Sequence, residues 1–242
     1  MNDIKEKIRI AALADIHVGL NSQNTYKDIF IEISENADIL VICGDLTYSG
    51  DVEEAKILSN ELTSCRIPVV AVLGNHDYDQ GKQSEIREAL INENVTILDG
   101  EFTVLHDIGF AGTIGFAGGF DKYMLNSFGE PPIKQFVQEG VNEQLKLERA
   151  LSQIEAEKKV VLLHYAPIRQ TIVGEPEEIW PFLGSSRLLE PIENFDTTVV
   201  FHGHAHMGTY KGQTPKGTPV YNVALPVIQK VMKKKSYVVI EI

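Results

Sequence analysis

The sequence predicts an α/β fold, because short apolar runs alternate along the chain with longer amphipathic stretches. The chain has 242 residues, of which 43% are apolar and 23% are charged, so it can bury a sizeable core. No segment has the composition of a linker, and we therefore expect a single domain over residues 1–242. The first three apolar runs, each read as a buried strand, are residues 8–14, 38–43 and 69–73.

The spacing of apolar residues between and after these runs predicts the helices. Residues 24–36 and 51–65 separate the first three runs, and Asp51 is the expected N-cap of the second stretch. Further helices are expected over residues 82–92 and 141–158. The other expected elements are short strands within 95–120, a loop insertion at 114–140, strands at 160–163 and 198–201, a hairpin turn at 212–218, and paired strands at 219–223 and 236–242 around a basic turn at 230–235.

Charge and hydropathy limit the partners of the protein. The formal net charge is -12, which disfavours binding to a nucleic-acid duplex or to an anionic membrane surface. Residues 1–10 are polar rather than a signal segment, and no apolar run approaches the roughly 18 residues that a membrane span needs. The two cysteines give no disulfide scaffold. We therefore expect a cytoplasmic protein with no membrane partner and no stable nucleic-acid duplex as partner.

Polar residues of metal-binding type follow each of the five buried runs. In α/β sheets, ligands bind at the carboxyl ends of the strands, so these side chains are expected to meet at one edge. One such residue after a strand is ordinarily a packing or surface residue, but five strand ends with the same property form a pattern. The residues are Asp15 and His17, Asp45, Asn75, His164, and His204 and His206.

The chemistry of these seven residues indicates a centre with two metal ions. Carboxylate oxygen, amide oxygen and imidazole nitrogen suit Mn²⁺, Fe, Zn²⁺ or Mg²⁺ rather than metals that prefer thiolates. Seven ligands exceed the needs of one tetrahedral ion, whereas two ions roughly 3.5–4 Å apart can share a carboxylate and act on a phosphate ester. Two divalent metal ions are therefore the expected cofactors, with Mn and Fe favoured.

The motif blocks of this sequence, taken in order, resemble those of the calcineurin-like metallophosphoesterase superfamily. The resemblance implies a four-layer αββα sandwich, with two mixed β-sheets flanked by helices, and a metal-bridging hydroxide as the nucleophile. It implies a first metal site of Asp15, His17, Asp45 and His206, and a second of Asp45, Asn75, His164 and His204, with Asp45 as the bridge. The blocks read Asp15-Ile16-His17, Gly44-Asp45, Gly74-Asn75-His76-Asp77, His164 and Gly203-His204-Ala205-His206, and they span residues 15–206.

The resemblance gives His76 a catalytic role outside the metal ligands. Its position in the motif implies a group that lies near the substrate and protonates the leaving oxygen, which an imidazole can do near neutral pH. The neighbouring Asp77 is interpreted as a residue that orients His76 or caps the following helix.

Two differences from related motifs indicate which branch of the superfamily this sequence resembles most. Ser/Thr protein phosphatases carry Gly-Asp-x-Val-Asp-Arg-Gly and Arg-Gly-Asn-His-Glu, and the corresponding segments 44–50 and 73–77 lack both arginines. Gly-Asp-Leu-Thr followed by Gly-Asn-His-Asp is more similar to the bacterial cyclic-nucleotide phosphodiesterase-like (Icc-like) branch. Tyr165 replaces the second His of that branch's His-His-x-Pro.

The sequence therefore predicts metal-dependent hydrolysis of phosphate esters, with a small phosphodiester as the favoured small-molecule substrate. The alternatives are a phosphomonoesterase or a protein phosphatase, and a non-catalytic metal-bearing scaffold is less favoured. Tyr123, Trp180 and residues 112–119 are candidates for contact with the substrate. Each also has a structural interpretation, and for Trp180 the favoured interpretation is a loop anchor.

Overall fold

A computed structural model describes residues 7–92, 94–233 and 235–242, and its elements alternate as the sequence predicts. The strands are β1 (Arg9–Leu13), β2 (Ile39–Cys43), β3 (Val69–Val72), β4 (Val95–Ile97), β5 (Glu101–Leu105), β6 (Ile108–Gly112), β7 (Lys158–Leu162), β8 (Val199–His202), β9 (Lys211–Gln213), β10 (Pro219–Asn222) and β11 (Val238–Glu241). The helices are α1 (Lys27–Asn36), α2 (Val52–Leu62), α3 (Gln83–Leu90), α4 (Pro131–Ser152), α5 (Trp180–Leu183), α6 (Leu189–Asn194) and α7 (Leu225–Val231).

The strands form two mixed sheets. The first has the order β11-β1-β2-β3-β4, in which β1 to β4 are parallel and β11 is antiparallel to β1. The second has the order β5-β6-β7-β8-β10-β9, with a parallel centre and an antiparallel strand at each edge. The parallel strands of both sheets are almost fully buried, which agrees with their continuous apolar sequences.

Alternation along the central strands of the second sheet shows how the layers stack. Successive side chains of a strand point to opposite faces, and Val160 and Leu162 pack with the residues of the first sheet. Val161 lies on the other face with Leu147 and Leu151 of α4. On the first sheet, α1, α2 and α3 contribute apolar side chains to the core. The result is the expected four-layer αββα sandwich. Among the described helices, none has the length and apolar character that crossing a bilayer requires.

The helix predicted at 141–158 begins earlier in the sequence than expected, and it also ends earlier. Helix α4 begins at Pro131 and ends at Ser152, so the loop insertion expected at 114–140 stops before residue 131. The paired prolines, interpreted as part of an irregular segment, occupy the first turn of this helix, where the fixed φ of proline fits and its missing N–H is no loss.

The pairing expected for the two last strands was wrong. Residues 219–222 and 238–241 are both strands, but β10 joins the second sheet beside β8, and β11 joins the first sheet beside β1. Helix α7 lies between them, where the basic turn was expected, and Lys234 of that turn lies outside the described residues. The apolar pattern of a strand does not reveal which sheet it joins, and this explains the error.

Asp38 connects the end of α1 to the start of β1. Its Oδ2 accepts hydrogen bonds from Arg9 N at 2.8 Å and Arg9 Nε at 3.2 Å, while its Oδ1 accepts one from Arg9 Nη2 at 2.8 Å. The guanidinium hydrogen bonds lower the pKa of Asp38 against the opposing effect of partial burial. The charged form of Asp38 is therefore the form that the fold favours.

We expect Asp38→Asn to lower the free energy of unfolding by about 0.5–1 kcal/mol at pH 7, a value discounted because the pair is partly exposed. Since the folded-state pKa is depressed, this contribution exists above the ordinary value of 3.8 and is lost as the pH falls through the lower folded-state value. Urea unfolding of both proteins at pH 7 and at pH 3 measures it. An equal difference between the two proteins at both pH values would contradict the charge-dependent origin.

Candidate metal centre

The seven predicted ligands lie together at the carboxyl ends of strands from both sheets. Asp15 and His17 follow β1, Asp45 follows β2 and Asn75 follows β3, all in the first sheet. The second sheet contributes His164 after β7, and His204 and His206 after β8. The site therefore lies where the facing edges of the two sheets meet.

Four of these residues have left-handed backbone conformations. The φ angles are 58° for Asp15, 43° for His17, 50° for Asp45 and 67° for His204. Residues other than glycine seldom adopt positive φ, and such conformations concentrate at functional sites where the surrounding structure imposes them. The backbone of this edge is shaped to direct side chains inward, at a cost in stability that the rest of the fold offsets.

Two glycines allow the loops to approach one another. A Cβ atom on Gly44 would collide with the ring of His164, and one on Gly74 would collide with the backbone nitrogen and carboxylate of Asp45. Gly44 also has a φ of 84°, which side chains disfavour. These two glycines therefore allow the predicted ligand residues that follow β2, β3 and β7 to come within contact distance of one another.

The donor atoms form three overlapping groups, and within each group they lie within 4.8 Å of one another. Because His17 and Asp45 each belong to two of the groups, the three make one continuous cluster. The groups are Asp15, His17 and His206; His17, Asp45 and His76; and Asp45, His164 and His204. Asn75 joins the third group through its Oδ1, which is 2.8 Å from His164 Nε2.

The two oxygens of Asp45 face different parts of the cluster. Its Oδ1 lies 3.4 Å from His164 Nε2, and its Oδ2 lies 3.7 Å from His17 Nε2. The backbone N–H of His76 donates to Oδ1 at 2.9 Å and fixes the orientation of the carboxylate. A carboxylate placed in this way can contact two cations at once.

Backbone carbonyls orient two of the histidine rings. Nδ1 of His164 is 3.0 Å from Cys43 O, and Nε2 of His204 is 3.3 Å from Phe182 O. A carbonyl oxygen can only accept, so Nε2 of His204 carries a proton. The opposite nitrogen of that ring, Nδ1, keeps its lone pair available for a metal ion. In His164, both ring nitrogens face oxygen atoms, Nδ1 that of Cys43 and Nε2 the amide oxygen of Asn75.

Burial and mutual interactions set the charge of the cluster. Burial lowers the pKa of His204 to about 3, and the neighbouring His164 acts in the same direction. Burial also lowers the pKa of His17, although Asp45 opposes it. Burial is the largest single effect on Asp15 and raises its pKa, but the hydrogen bond to His206 and the charges of the neighbouring histidines together outweigh it, and the net shift is downward. Neutral imidazoles beside ionised carboxylates fit divalent cations.

Asp77 is a buried structural residue rather than a partner of the His76 ring. It accepts hydrogen bonds from Leu46 N at 3.1 Å, from Thr47 N at 2.8 Å and from Gly74 N at 2.8 Å. The hydroxyl of Thr47 also donates to it at 2.6 Å. Asp77 therefore ties the loop that carries Asp45 to the loop that carries Asn75.

The sequence pattern did not identify Asn222, which secures the loop that carries His204 and His206. This fully buried side chain donates from Nδ2 to Ala205 O at 2.7 Å, between His204 and His206. Its Oδ1 accepts from Ala224 N at 3.1 Å. Like Asn75, Asn222 lies at the end of a short apolar run, and this position could have identified it as a functional residue. Asn222 belongs to none of the motif blocks, however, and it was therefore overlooked.

Other candidates near the site have structural roles or lie at the surface. His202 is fully buried and directs its ring nitrogens to Gly203 O and to Thr171 Oγ1, so it packs behind the ligand loop. Trp180 donates from Nε1 to Glu175 O at 3.0 Å, as expected for a loop anchor, and Arg169 lies over its ring. Tyr123 is 79% exposed and makes no contact with the donor cluster among the described contacts.

Comparison with known proteins identifies the family to which this fold and donor cluster belong. The family model for calcineurin-like phosphoesterases matches residues 8–208, and the chain belongs to this family. The prediction of the family is thereby confirmed.

Two curated relatives are each described as a probable cyclic nucleotide phosphodiesterase. The protein of Xenorhabdus bovienii is 25% identical over 95 residues, which cover 34% of this chain and 38% of the relative. The protein of Vesicomyosocius okutanii is 28% identical over 112 residues, which cover 43% of this chain and 48% of the relative. The matched region is thus less than half of either relative.

Solved structures confirm the fold. The phosphopantetheinyl hydrolase of Mycobacterium tuberculosis superimposes with a TM-score of 0.70 at 13% identity, covering 98% of this chain and 97% of that chain. A structure from Thermus thermophilus gives a TM-score of 0.54 at 15% identity, covering 90% of this chain and 89% of that chain. At these identities the similarity concerns the fold alone.

We expect Asp77→Asn to destabilise the protein by about 1–3 kcal/mol, because an amide group replaces a buried acceptor surrounded by donors. Thermal and urea unfolding of the metal-free protein measure the loss. Asp79→Asn is a matched control, since Asp79 is exposed and close in sequence, and its effect should stay within about 0.5 kcal/mol. Equal stability of the two variants would contradict the role of Asp77.

Proposed function

We propose that this protein hydrolyses a small phosphodiester with the help of two divalent metal ions. The observation that carries the proposal is the continuous donor cluster, in which Asp45 belongs both to a group with His17 and to a group with His164 and His204. Since both sheets contribute donors to this cluster, we also propose that residues 1–242 act as one domain. In the proposed assignment, the first ion is held by Asp15, His17, Asp45 and His206, and the second by Asp45, Asn75, His164 and His204.

Two such ions, when bound, supply Lewis acidity to the phosphoryl oxygens and lower the pKa of an attacking water. The mixture of oxygen and nitrogen donors accepts Mn²⁺, Fe, Zn²⁺ or Mg²⁺, and we propose Mn or Fe as the native ions. The composition favours the cytoplasm as the site of action, which stays a prediction.

His76 is placed to hold the proton for the leaving group. Its Nδ1 is 2.7 Å from Tyr48 O, so Nδ1 carries a proton and Nε2 is the nitrogen directed at the cluster, 4.0 Å from Asp45 Oδ2. The ring lies edge-on to His17, with centroids 4.6 Å apart. When the P–O bond to the leaving group breaks, Nε2–H of the protonated ring can donate to the departing oxygen.

The charges around the cluster favour a diester over a monoester. A diester carries one negative charge at its phosphoryl group and a monoester carries up to two, so a monoester gains more from arginine or lysine at the site. In the described part of the chain, the ion pairs of Asp15 and Asp45 are with histidine rings. The hydrogen bond to Asp15 is the main cause that raises the pKa of His206, and the charge of Glu175 adds to it, so a further carboxylate lies near this side of the cluster. The relatives described as probable phosphodiesterases support the same choice.

An aromatic wall on one side of the cluster is proposed to contact the substrate. The ring of Tyr165 lies 4.5 Å from that of His204, and Phe116 and Phe136 continue the row at centroid distances of 6.1 and 5.0 Å. Burial raises the pKa of Tyr165 to about 12, so its phenol is a neutral hydrogen-bond donor at physiological pH. Tyr165 therefore presents a donor without charge where the related motif has a histidine.

Hydrolysis of bis(p-nitrophenyl) phosphate and of p-nitrophenyl phosphate tests the proposal directly. We expect the diester to be the better substrate, chelation to abolish turnover, and Mn²⁺ to restore it. Asp45→Asn should reduce kcat by more than about 100-fold, because the loss of a ligand exceeds the 10- to 100-fold effect typical of residues behind a ligand. Asp107→Asn, at an exposed turn, should keep the rate of the unchanged protein. Turnover of Asp45→Asn equal to this control would refute the assignment.

His76→Ala separates an enzyme from a metal-bearing scaffold. With a diester that has an alkyl leaving group, we expect kcat to fall by about 10²–10⁴-fold, the typical contribution of general acid catalysis, while the bound metal stays at two ions per chain. Rate measurements and elemental analysis of the same samples give both values. His106→Ala is the matched control, since His106 is exposed in a turn distant in sequence from every motif block. An unchanged rate in His76→Ala would favour the scaffold.

A further inference from the structure

The contact of His76 with Tyr48 continues through the peptide bond to a buried carboxylate. His76 Nδ1 is 2.7 Å from the carbonyl oxygen of Tyr48. The N–H of the same peptide group belongs to Ser49, and it donates to Glu54 Oε2 at 2.8 Å. A series of hydrogen bonds therefore runs from the imidazole of His76, through one planar peptide group, to the carboxylate of Glu54.

A carboxylate that accepts a hydrogen bond from the N–H of a peptide group makes the carbonyl oxygen of the same group a stronger hydrogen-bond acceptor. The peptide group is conjugated, so a negatively charged acceptor at N–H shifts electron density towards oxygen. Hydrogen bonds in series polarise one another in this way, and the effect is larger away from water. Tyr48 O is thereby a better acceptor for His76 than an isolated carbonyl is.

The carboxylate of Glu54 is buried and hydrogen-bonds to the loop that contains Tyr48 and Ser49. Glu54 lies in the first turn of α2 and is only 3% exposed. Its Oε1 accepts from Ser49 Oγ at 3.1 Å, so both carboxylate oxygens contact Ser49. Burial of a charged side chain is costly, and the two hydrogen bonds that offset the cost both come from Ser49, one from the peptide N–H and one from the hydroxyl.

We propose that Glu54 is a positioning residue for the reaction, which fixes the tautomer and the ring orientation of His76 through the Tyr48–Ser49 peptide. The inference rests on the proposed function, since it presupposes that His76 protonates the leaving group. With Nδ1 held as the donor to Tyr48 O, Nε2 is the only ring nitrogen that can serve the substrate. Without the carboxylate, the peptide is free to reorient and both tautomers of His76 become accessible.

The chain offers a close control for this proposal. Glu61 lies on the same helix and is 1% exposed, and its carboxylate accepts from the backbone N–H groups of Asn24, Tyr26 and Lys27. Glu61→Gln thus removes a buried charge with equivalent backbone contacts, but its partners are not connected to His76. Ser49→Ala removes only the hydroxyl contact and keeps the peptide N–H that the proposal requires.

The first experiment determines the tautomer of the His76 ring by ¹⁵N NMR of the metal-free protein at pH 8. The His76→Gln variant assigns the signals. We expect the Nδ1–H tautomer alone in the unchanged protein, in Ser49→Ala and in Glu61→Gln, and a mixture of tautomers in Glu54→Gln. The same tautomer in Glu54→Gln and in Glu61→Gln would overturn the proposal. If Glu54→Gln does not fold, Glu54→Asp, which withdraws the carboxylate by one methylene, replaces it with the same expected mixture.

The second experiment compares diesters that have good and poor leaving groups in the metal-loaded enzyme. For Glu54→Gln we expect kcat to fall by about 10–100-fold with an alkyl leaving group and by less than about threefold with p-nitrophenolate, which departs without a proton. KM should change by less than about twofold. Equal losses for both leaving groups, or equal losses in Glu61→Gln, would overturn the proposal. If the unchanged protein hydrolyses no ester, the proposed function fails, whereas the tautomer measurement still decides how Glu54 acts on His76.

Discussion

The contact between Asp45 and His164 connects the two sheets of the sandwich at the functional edge. Asp45 follows a strand of the first sheet and His164 follows a strand of the second, and their donor atoms are 3.4 Å apart. A carboxylate and an imidazole can remain so close in a buried position only if the sheets meet with their strands in a fixed register. The apolar layer between the sheets provides this constraint, since Val160 and Leu162 pack against the first sheet immediately before His164. Core packing and site geometry therefore depend on the same residues.

Hydrogen bonds to the backbone hold the strained ends of the strands in place. Positive φ angles at Asp15, Asp45 and His204 disfavour the observed loops, and each loop is secured by buried polar groups. Asp77 secures the loop of Asp45, and Asn222 secures the loop of His204. The backbone N–H of His204 also donates to both carboxylate oxygens of Asp15 at 3.1 Å, which links the first and last ligand loops. The predicted ligand residues thus hold one another in position.

The sequence alone predicted those features that depend on local pattern. Asp15, Asp45 and His164 were identified because each follows a continuous apolar run, and the end of such a run coincides with the end of a strand. The partners of β10 and β11 were predicted wrongly, because a strand joins a sheet through backbone hydrogen bonds that are the same for every sequence. The acceptor for His76 was missed for the same reason, since the group is the carbonyl of Tyr48 and not its side chain. The start of α4 was placed too late because Pro131 is compatible both with a loop and with the first turn of a helix.

The position of β11 has a consequence for folding during synthesis. β11 covers the open side of β1, the strand that delivers Asp15 and His17, and it follows every other strand in the sequence. While the ribosome is still making the chain, β1 therefore has an unpaired edge until β11 has been synthesised, and such an edge can pair with other chains. Pairing of Arg9 with Glu241 joins the beginning and the end of the described chain, so this sheet has a high contact order and is expected to close late. Asp15 and His17 are then carried by an incomplete sheet until β11 has been synthesised and has paired with β1.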